Sequence, residues 1–289
     1  MSRRAFTLVE LLVVISIIGM LSTIAIVSTN GSREKARLAA GASFAAQLDR
    51  VNGASSAGEW LFNEGSGTTV GDASGGNHGG SLTNGPTWST DTPSGTGYSV
   101  SLNGSNAYVT IPDYYGLKYA GNTLTLAVWI KPDPAEVDGG CILSKPWNWD
   151  GEYNYRICMS SNRTLYLALQ GGGVTYALST TASISANKWS FVAATVDASQ
   201  KVNLYIDGGL NVTGVGNISS WVPVGGDSNI SLAIGTLFPY GTGWGGNSAY
   251  SFNGLVDDPR VFNGVLSAER IRKLYAAGLA SHRLAVSER

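Results

Sequence analysis

The run from Phe6 to Val27 is 22 residues long and carries one charge, Glu10. As a helix it would measure about 33 Å at ~1.5 Å per residue, enough for the ~30 Å hydrocarbon core of a bilayer. Nothing later in the chain shares that character. The sequence therefore divides early into a membrane-scale apolar segment and a different body. Arg3 and Arg4 precede the run, and Arg33, Lys35 and Arg37 follow it, so flanking charge alone does not orient it. A secretory signal peptide fits poorly, because the run is too long and no A-x-A site follows it. An acid in such surroundings costs ~2.5–3.5 kcal/mol on insertion scales, so Glu10 calls for a cationic partner.

The helix is expected to continue past the membrane. Phe44, Leu48 and Val51 form one stripe at helical spacing, and Ala36, Ala39, Ala40, Ala42, Ala45 and Ala46 favour helix. Asn52-Gly53-Ala54-Ser55-Ser56 reads as its stop and a linker. The expected division is a leader at 1–5, a helix at 6–52, a linker at 53–56, a body at 57–278 and a polar tail at 279–289.

Charge separates the parts again. The chain of 289 residues has 19 Lys+Arg against 20 Asp+Glu, yet residues 53–266 hold 8 basic and 15 acidic side chains. This acidic body lies between two basic ends. A formal net charge of −1 leaves no whole-chain footprint for nucleic acid. Two His exclude a His-rich metal site. With 38 Gly but no period of three, the chain is not collagen-like. Eight Trp and 13 Tyr at low charge exclude a disordered acidic or basic chain.

In the body the apolar period becomes two. Leu124, Leu126, Val128 and Ile130 alternate with Thr125, Ala127 and Trp129. Val202, Leu204 and Ile206 alternate likewise and run into Asp207-Gly208, a hairpin signal. Segments 108–111, 165–169, 191–196 and 230–234 are further strands. Asn84-Gly85, Asn103-Gly104 and Asn253-Gly254 are read as turns between strands. Many short strands without intervening helices predict a mainly β fold, an antiparallel jelly-roll sandwich, preceded by one long N-terminal hydrophobic α-helix. One helix closes the body, with Ser267 as its cap, Glu269 in its first turn and Gly278 as its stop.

Two resemblances carry function. Arg3-Arg4-Ala5-Phe6-Thr7-Leu8-Val9-Glu10-Leu11-Leu12-Val13-Val14-Ile15 resembles the N-terminus of type IV pilins and type II secretion pseudopilins. The resemblance implies cleavage by a prepilin peptidase between Ala5 and Phe6, then N-methylation of Phe6. The family usually has Gly before the cut, and this chain has Ala5. The resemblance also implies a partner for Glu10: the Phe6 amine of a neighbouring subunit, paired as the helices pack into a filament. Such a buried pair sets register more than it adds stability. It further implies an inner-membrane precursor that becomes part of a periplasmic pseudopilus or an extracellular filament.

The second resemblance covers roughly 57–278. Glu59-Trp60-Leu61-Phe62-Asn63-Glu64-Gly65 and Asp72-Ala73-Ser74-Gly75-Gly76-Asn77-His78-Gly79 resemble the opening of laminin-G-like, concanavalin-A-like jelly rolls. Phe252-Asn253-Gly254-Leu255-Val256-Asp257-Asp258 and Arg260-Val261-Phe262-Asn263 resemble their close. Pro259 stands where an apolar strand residue is usual, which predicts a bulge or an edge there.

The candidate sites follow. Sugar binding needs exposed rings and a few polar groups. Trp147 and Trp149 fall in the loop of an expected hairpin, and Tyr240 and Trp244 in a second Gly-rich loop, with rim packing as the alternative. The second resemblance implies a structural calcium in many relatives. Asp72 and Asn77 in one Gly-rich loop, with Asp257 from the closing strand, are the candidate ligands. The alternative is a turn in which Asp72 and Asn77 bond their own backbone. Cys141 and Cys158 flank the Trp-rich hairpin, and an exported body predicts a disulfide, with two buried thiols as the alternative.

No enzyme is expected. Glycosidic hydrolysis needs two carboxylates on one face, and no Glu-x-Asp-x-Glu strand exists. Glu136 and Asp138 fall in a loop, while adjacent Asp257 and Asp258 should point to opposite faces of a strand. His78 sits in a Gly-rich turn. Gly241-Thr242-Gly243-Trp244-Gly245-Gly246 lacks the βαβ setting of a dinucleotide site. The expected function is an exported pilin-like subunit that displays the jelly roll for glycan or surface-ligand binding. A purely structural filament subunit and a membrane-tethered glycan-active enzyme are the alternatives. The partners expected are prepilin peptidase, other pilin-like subunits and a glycan or surface ligand, not nucleic acid.

Overall fold

The computed structural model describes residues 55–112, 117, 123–136, 140–146, 153–171, 174–216, 231–237 and 250–280, together with Leu12, Val13, Ile15 and Ser16. The chain forms two compact units, Met1–Gly53 and Ala54–Arg289. In the first unit the four described residues are helical. The expected span at 6–27, with Ala5, Phe6 and Glu10, otherwise lies outside the described residues. Among the described residues no helix is long and apolar enough to cross a membrane.

The second unit opens with β1 (Ser55–Glu59), β2 (Thr69–Val70), β3 (Gly80–Thr83), β4 (Thr87–Ser89), β5 (Ser99–Asn103) and β6 (Tyr108–Ile111). It continues with β7 (Leu124–Pro132), β8 (Cys141–Pro146), β9 (Tyr153–Met159), β10 (Thr164–Gly171) and β11 (Val174–Ser183). It closes with β12 (Ser190–Val196), β13 (Lys201–Ile206), β14 (Gly209–Val215), β15 (Leu232–Ile234), β16 (Asn253–Asn263) and the helix α1 (Ala268–Ala280).

These strands make two antiparallel sheets of eight. The first runs β14-β13-β12-β7-β16-β5-β4, with β1 also on β16, and the second runs β11-β10-β9-β8-β15-β6-β3-β2. β5 pairs with the first half of β16, through 253–256, and β1 with the second half, through 260–263. First and last strands of the body thus meet in the middle of one sheet.

Alternation along β7 explains a third layer. Leu124, Leu126, Val128 and Ile130 face the core between the sheets. Ala127 and Trp129 face outward, yet they are equally buried, because α1 covers them with Ile271, Leu274 and Tyr275. A strand buried on both faces reads as a continuous apolar run rather than an alternating one. Trp129 packs edge-on to Phe191 at 5.4 Å and stacks on Tyr275 at 5.5 Å between ring centroids. Such pairs add about 0.5–1.5 kcal/mol beyond their burial. Buried Thr125 pins the connection to α1, donating to Gly264 O at 2.7 Å and accepting from Leu266 N at 3.0 Å.

The β13–β14 hairpin turns through Asp207 (φ 49°) and Gly208 (φ 75°), the left-handed pair that a two-residue turn of this hand requires. Asn253-Gly254 departs from expectation: it opens β16 rather than joining strands. Gly254 is packed so closely on Lys131 O and Pro132 that a side chain has no room. Gly278 also departs, since it lies inside α1, which continues to Ala280. Ser267 caps the helix, its Oγ accepting from Arg270 N at 3.2 Å.

Candidate ligand-binding cleft

Pro259 sits in a bulge, not at a sheet edge. β16 pairs with β7 at Asp257↔Trp129 and again at Arg260↔Ala127, so Asp258 and Pro259 together stand opposite Val128, one residue more than the ladder needs. Asp258 takes φ 50°, and Pro259, which has no N–H, gives its carbonyl to Trp60 N at 3.0 Å. The bulge cancels the alternation expected of neighbours. Asp257 and Asp258 both line one cavity of about 420 Å³, together with Arg260. That volume lies within the ~300–1,000 Å³ usual for small-molecule sites.

Trp129, the register partner of Asp257 on β7, also lines the cavity. Leu61 and Asn63, on the chain after β1, contribute to the lining. Pro93, Ser94, Thr96 and Gly97 line it as well, as do Ala277 and Gly278 near the end of α1.

The 91–97 loop is held by its own polar groups. Asp91 accepts from Lys131 Nζ, and from Trp189 Nε1 at 2.8 Å. Burial pushes the Asp91 carboxyl up, but these two donors hold it below the usual range. Thr92 Oγ1 donates to Thr96 O at 2.9 Å, and Ser99 Oγ to Asp91 O at 2.6 Å. Asn63 Oδ1 accepts from Tyr98 N at 3.4 Å.

The charges cancel inside the cleft. Arg260 donates from Nε to Asp258 Oδ1 at 2.8 Å and from Nη2 to Oδ2 at 2.7 Å, a fork-on-carboxylate pair. Burial lowers the Arg260 pKa, yet the Asp258 carboxylate more than restores it, so the guanidinium stays charged. Asp257 is only 8% exposed. Burial first, and the Asp258 charge second, push its carboxyl up to about 8. Asp257 is therefore neutral near pH 7 and presents an O–H as well as acceptor oxygens. Trp129 is 1% exposed and its Nε1 has no hydrogen-bond partner. Such a buried donor costs ~1–3 kcal/mol.

Catalysis by this carboxyl pair is disfavoured by the same geometry. Asp257 holds a proton, as a general acid would, but both oxygens of Asp258 are committed to Arg260. A nucleophile or base needs a free oxygen near the reacting carbon.

Of the other expected residues, the described ones, Asp72, Asn77, Glu136, Cys141 and Cys158, do not line this cavity. Trp147, Trp149, Tyr240, Trp244 and Asp138 lie outside the described residues. Glu136 is buried and its Oε2 accepts from Asn253 N at 2.6 Å. Cys141 and Cys158 are register partners on β8 and β9, and a disulfide joins them.

Asp72 organises a structural loop. Its Oδ1 accepts from Glu59 N at 3.0 Å and Ser74 N at 2.8 Å, and its Oδ2 from Ser74 Oγ and His78 N, both at 2.8 Å. Burial raises its pKa, but these bonds outweigh that and lower it. Asn77 takes φ 58° in the same loop. His78 donates from Nδ1 to Ala57 O at 2.6 Å. Asp72 thus bonds its own loop, as the turn alternative to a calcium ligand has it, with both oxygens shared among four protein donors. Among the described residues no three His, Cys, Asp or Glu gather as a metal site requires.

The two-residue period puts Asp257 and Asp258 on opposite faces and marks Trp129 only as a member of the alternating strand 124–130. It did not bring in Asn63, Thr96, Arg260 or Gly278. Pro259 was the available signal, since a bulge at that position is what turns both carboxyls to one side.

The two packed sheets define an antiparallel jelly-roll sandwich, and comparison with known proteins identifies its family. Residues 103–272 match the concanavalin A-like lectin/glucanases superfamily, and the chain belongs to it. Residues 1–26 match the prokaryotic N-terminal methylation motif. Comparison with curated proteins gives no match. Among solved structures, domain 4 of AbnA, an extracellular arabinanase from Geobacillus stearothermophilus in complex with arabinotriose, is similar at 21% identity. The TM-score is 0.57, over 77% of this chain and 98% of that one. The binding domain of Paraclostridial Mosquitocidal Protein 1 is similar at 14% identity and TM-score 0.60, over 76% of this chain and 52% of that one. Botulinum neurotoxin type C, which interacts with two ganglioside molecules, is similar at 18% identity and TM-score 0.57, over 78% of this chain and 51% of that one. The chain thus spans about half the length of the two toxin chains. At these identities the likeness is one of fold.

Proposed function

We propose that this chain is an exported pilin-like subunit whose jelly roll binds a glycan or another surface ligand. The observation that carries the reading is the fusion itself: a methylation motif at 1–26 on a lectin-superfamily body at 103–272. The motif supports a membrane-anchored precursor, cut by prepilin peptidase between Ala5 and Phe6 and assembled through the N-terminal helix. Glu10 pairs with the Phe6 amine of a neighbouring subunit. The finished subunit belongs to a periplasmic pseudopilus or an extracellular filament. Its bulky body suits a minor or tip position better than a densely packed shaft.

Binding rather than turnover is supported by the cleft, where one carboxyl is protonated and the other is locked to Arg260. The fold's solved neighbours support a saccharide as ligand, since one was solved with arabinotriose and another interacts with gangliosides. A glycan array probed with the full chain in detergent tests the reading. Selective binding to one glycan class is expected. A silent array from protein that still assembles into filaments would favour a purely structural subunit.

A further inference from the structure

The cleft has the makings of a site, and Asp257 is the one residue of its lining that the sequence offered as a ligand-binding or metal-ligating candidate. It is a cavity of about 420 Å³ on the outer side of the first sheet, away from the core. Leu61, Pro93 and Ala277 supply apolar lining, and Asp257 and Trp129 supply polar groups. Leu61 is exposed, although most large apolar side chains of this body are buried. The Trp129 Nε1 donor has no partner and lies beside Gly278, and both residues line the cavity.

The character of the lining selects a ligand class. The Asp258–Arg260 pair is internally neutralised and occupies the guanidinium fork. A phosphate or carboxylate would have to displace Asp258 to reach that fork. A cation would need Asp257 ionised beside an existing carboxylate. A neutral polyol suits the remaining groups, because each hydroxyl both donates and accepts, and sugar rings have apolar faces for Leu61 and Pro93. We propose that this cleft, between the β16 bulge, the 93–97 loop and the end of α1, binds a neutral sugar residue. Asp257 and Asn63 contact its hydroxyls, and Leu61 and Pro93 lie against its ring. The inference rests on the glycan-binding reading above and assigns that reading a place.

The test uses the full chain in detergent, with arabinotriose and cellotriose as neutral probes and a sialylated ganglioside headgroup as the anionic one. Binding is read by the Trp129 indole N–H resonance, assigned through Trp129→Phe, and by titration calorimetry. Thr96→Trp fills the cleft from an exposed loop position, so it blocks the site without touching the core. Asp257→Asn keeps a neutral group that both donates and accepts, while Asp257→Ala removes both. The account expects a neutral trisaccharide to bind and to shift the Trp129 resonance. It also expects at least tenfold weaker binding in Thr96→Trp and Asp257→Ala, a smaller loss in Asp257→Asn than in Asp257→Ala, near wild-type binding in Trp147→Ala, and no binding of the anionic probe. Binding that survives Thr96→Trp but disappears in Trp147→Ala or Trp244→Ala overturns the cleft and leaves the glycan reading standing. Binding of the ganglioside headgroup alone overturns the neutral-ligand assignment. Silence of the wild type toward all glycans overturns the cleft and the reading together.

Discussion

Gly278 lies against the indole of Trp129 so closely that a Cβ at that position would overlap Nε1. α1 covers the outer face of the sheet because residue 278 has no side chain. A glycine normally costs a helix interior ~1 kcal/mol relative to alanine. Here Gly278→Ala is expected to destabilise, by about 1–3 kcal/mol net of that gain, because helix and sheet must separate. Thermal melts with near-ultraviolet circular dichroism check it. A stabilised Gly278→Ala would mean that α1 does not press on Trp129.

Asp257 gives stability a defined slope with pH. Its folded pKa of about 8 lies above its ordinary value, so between those values the native state holds more protons than the unfolded one. Stability should therefore fall as pH rises from about 4 toward 8, by at most ~1.4 kcal/mol per unit of pKa difference. Asp257→Asn should flatten this window. Urea titrations at pH 5 and pH 8.5 check it, and an unchanged slope in the variant would contradict it.

Asp72 works in the opposite sense. Four protein donors hold its carboxyl below the ordinary range, so its contribution is complete above that range and is lost as acid protonates it. Asp72→Ala strands two backbone N–H groups of the loop and Glu59 N, and should cost about 2–4 kcal/mol. Asp72→Asn keeps one acceptor oxygen and should cost less. Denaturant unfolding of both variants at pH 7 measures the difference.

The Cys141–Cys158 disulfide closes a loop with a sequence separation of 17. Loop entropy assigns such a closure about 3 kcal/mol. The Cys141→Ala, Cys158→Ala double variant should melt lower than wild type under non-reducing conditions. Reductant should lower the wild type and leave the variant unchanged. Equal melting of the two proteins without reductant would remove the bond from the account.

Much of the architecture was legible in the sequence, and the misses share one cause. Alternation in 124–130 and 202–206 marks β7 and β13 directly, and Asp207-Gly208 marks their kind of turn. Local signals fail where a third element intervenes. Asn253-Gly254 carries a turn signature, but Gly254 serves close packing on Lys131 and Pro132 inside a strand. Gly278 carries a stop signature, but it serves contact with a tryptophan 149 positions earlier. Asp257 and Asp258 follow the two-residue period on paper, and the bulge beside Pro259 cancels it. The cleft draws on Asn63, Thr96, Trp129, Arg260 and Gly278, which only tertiary structure brings together.

The central claim is that the chain matures as a pilin-like subunit, and the state of its N-terminus tests that most directly. Intact mass and N-terminal sequencing of the protein from its native envelope should give a mature chain that begins at N-methylated Phe6. A chain that still begins at Met1 would contradict the claim. It would leave Glu10 without the amine assigned to it and make this a membrane-tethered lectin-like protein instead.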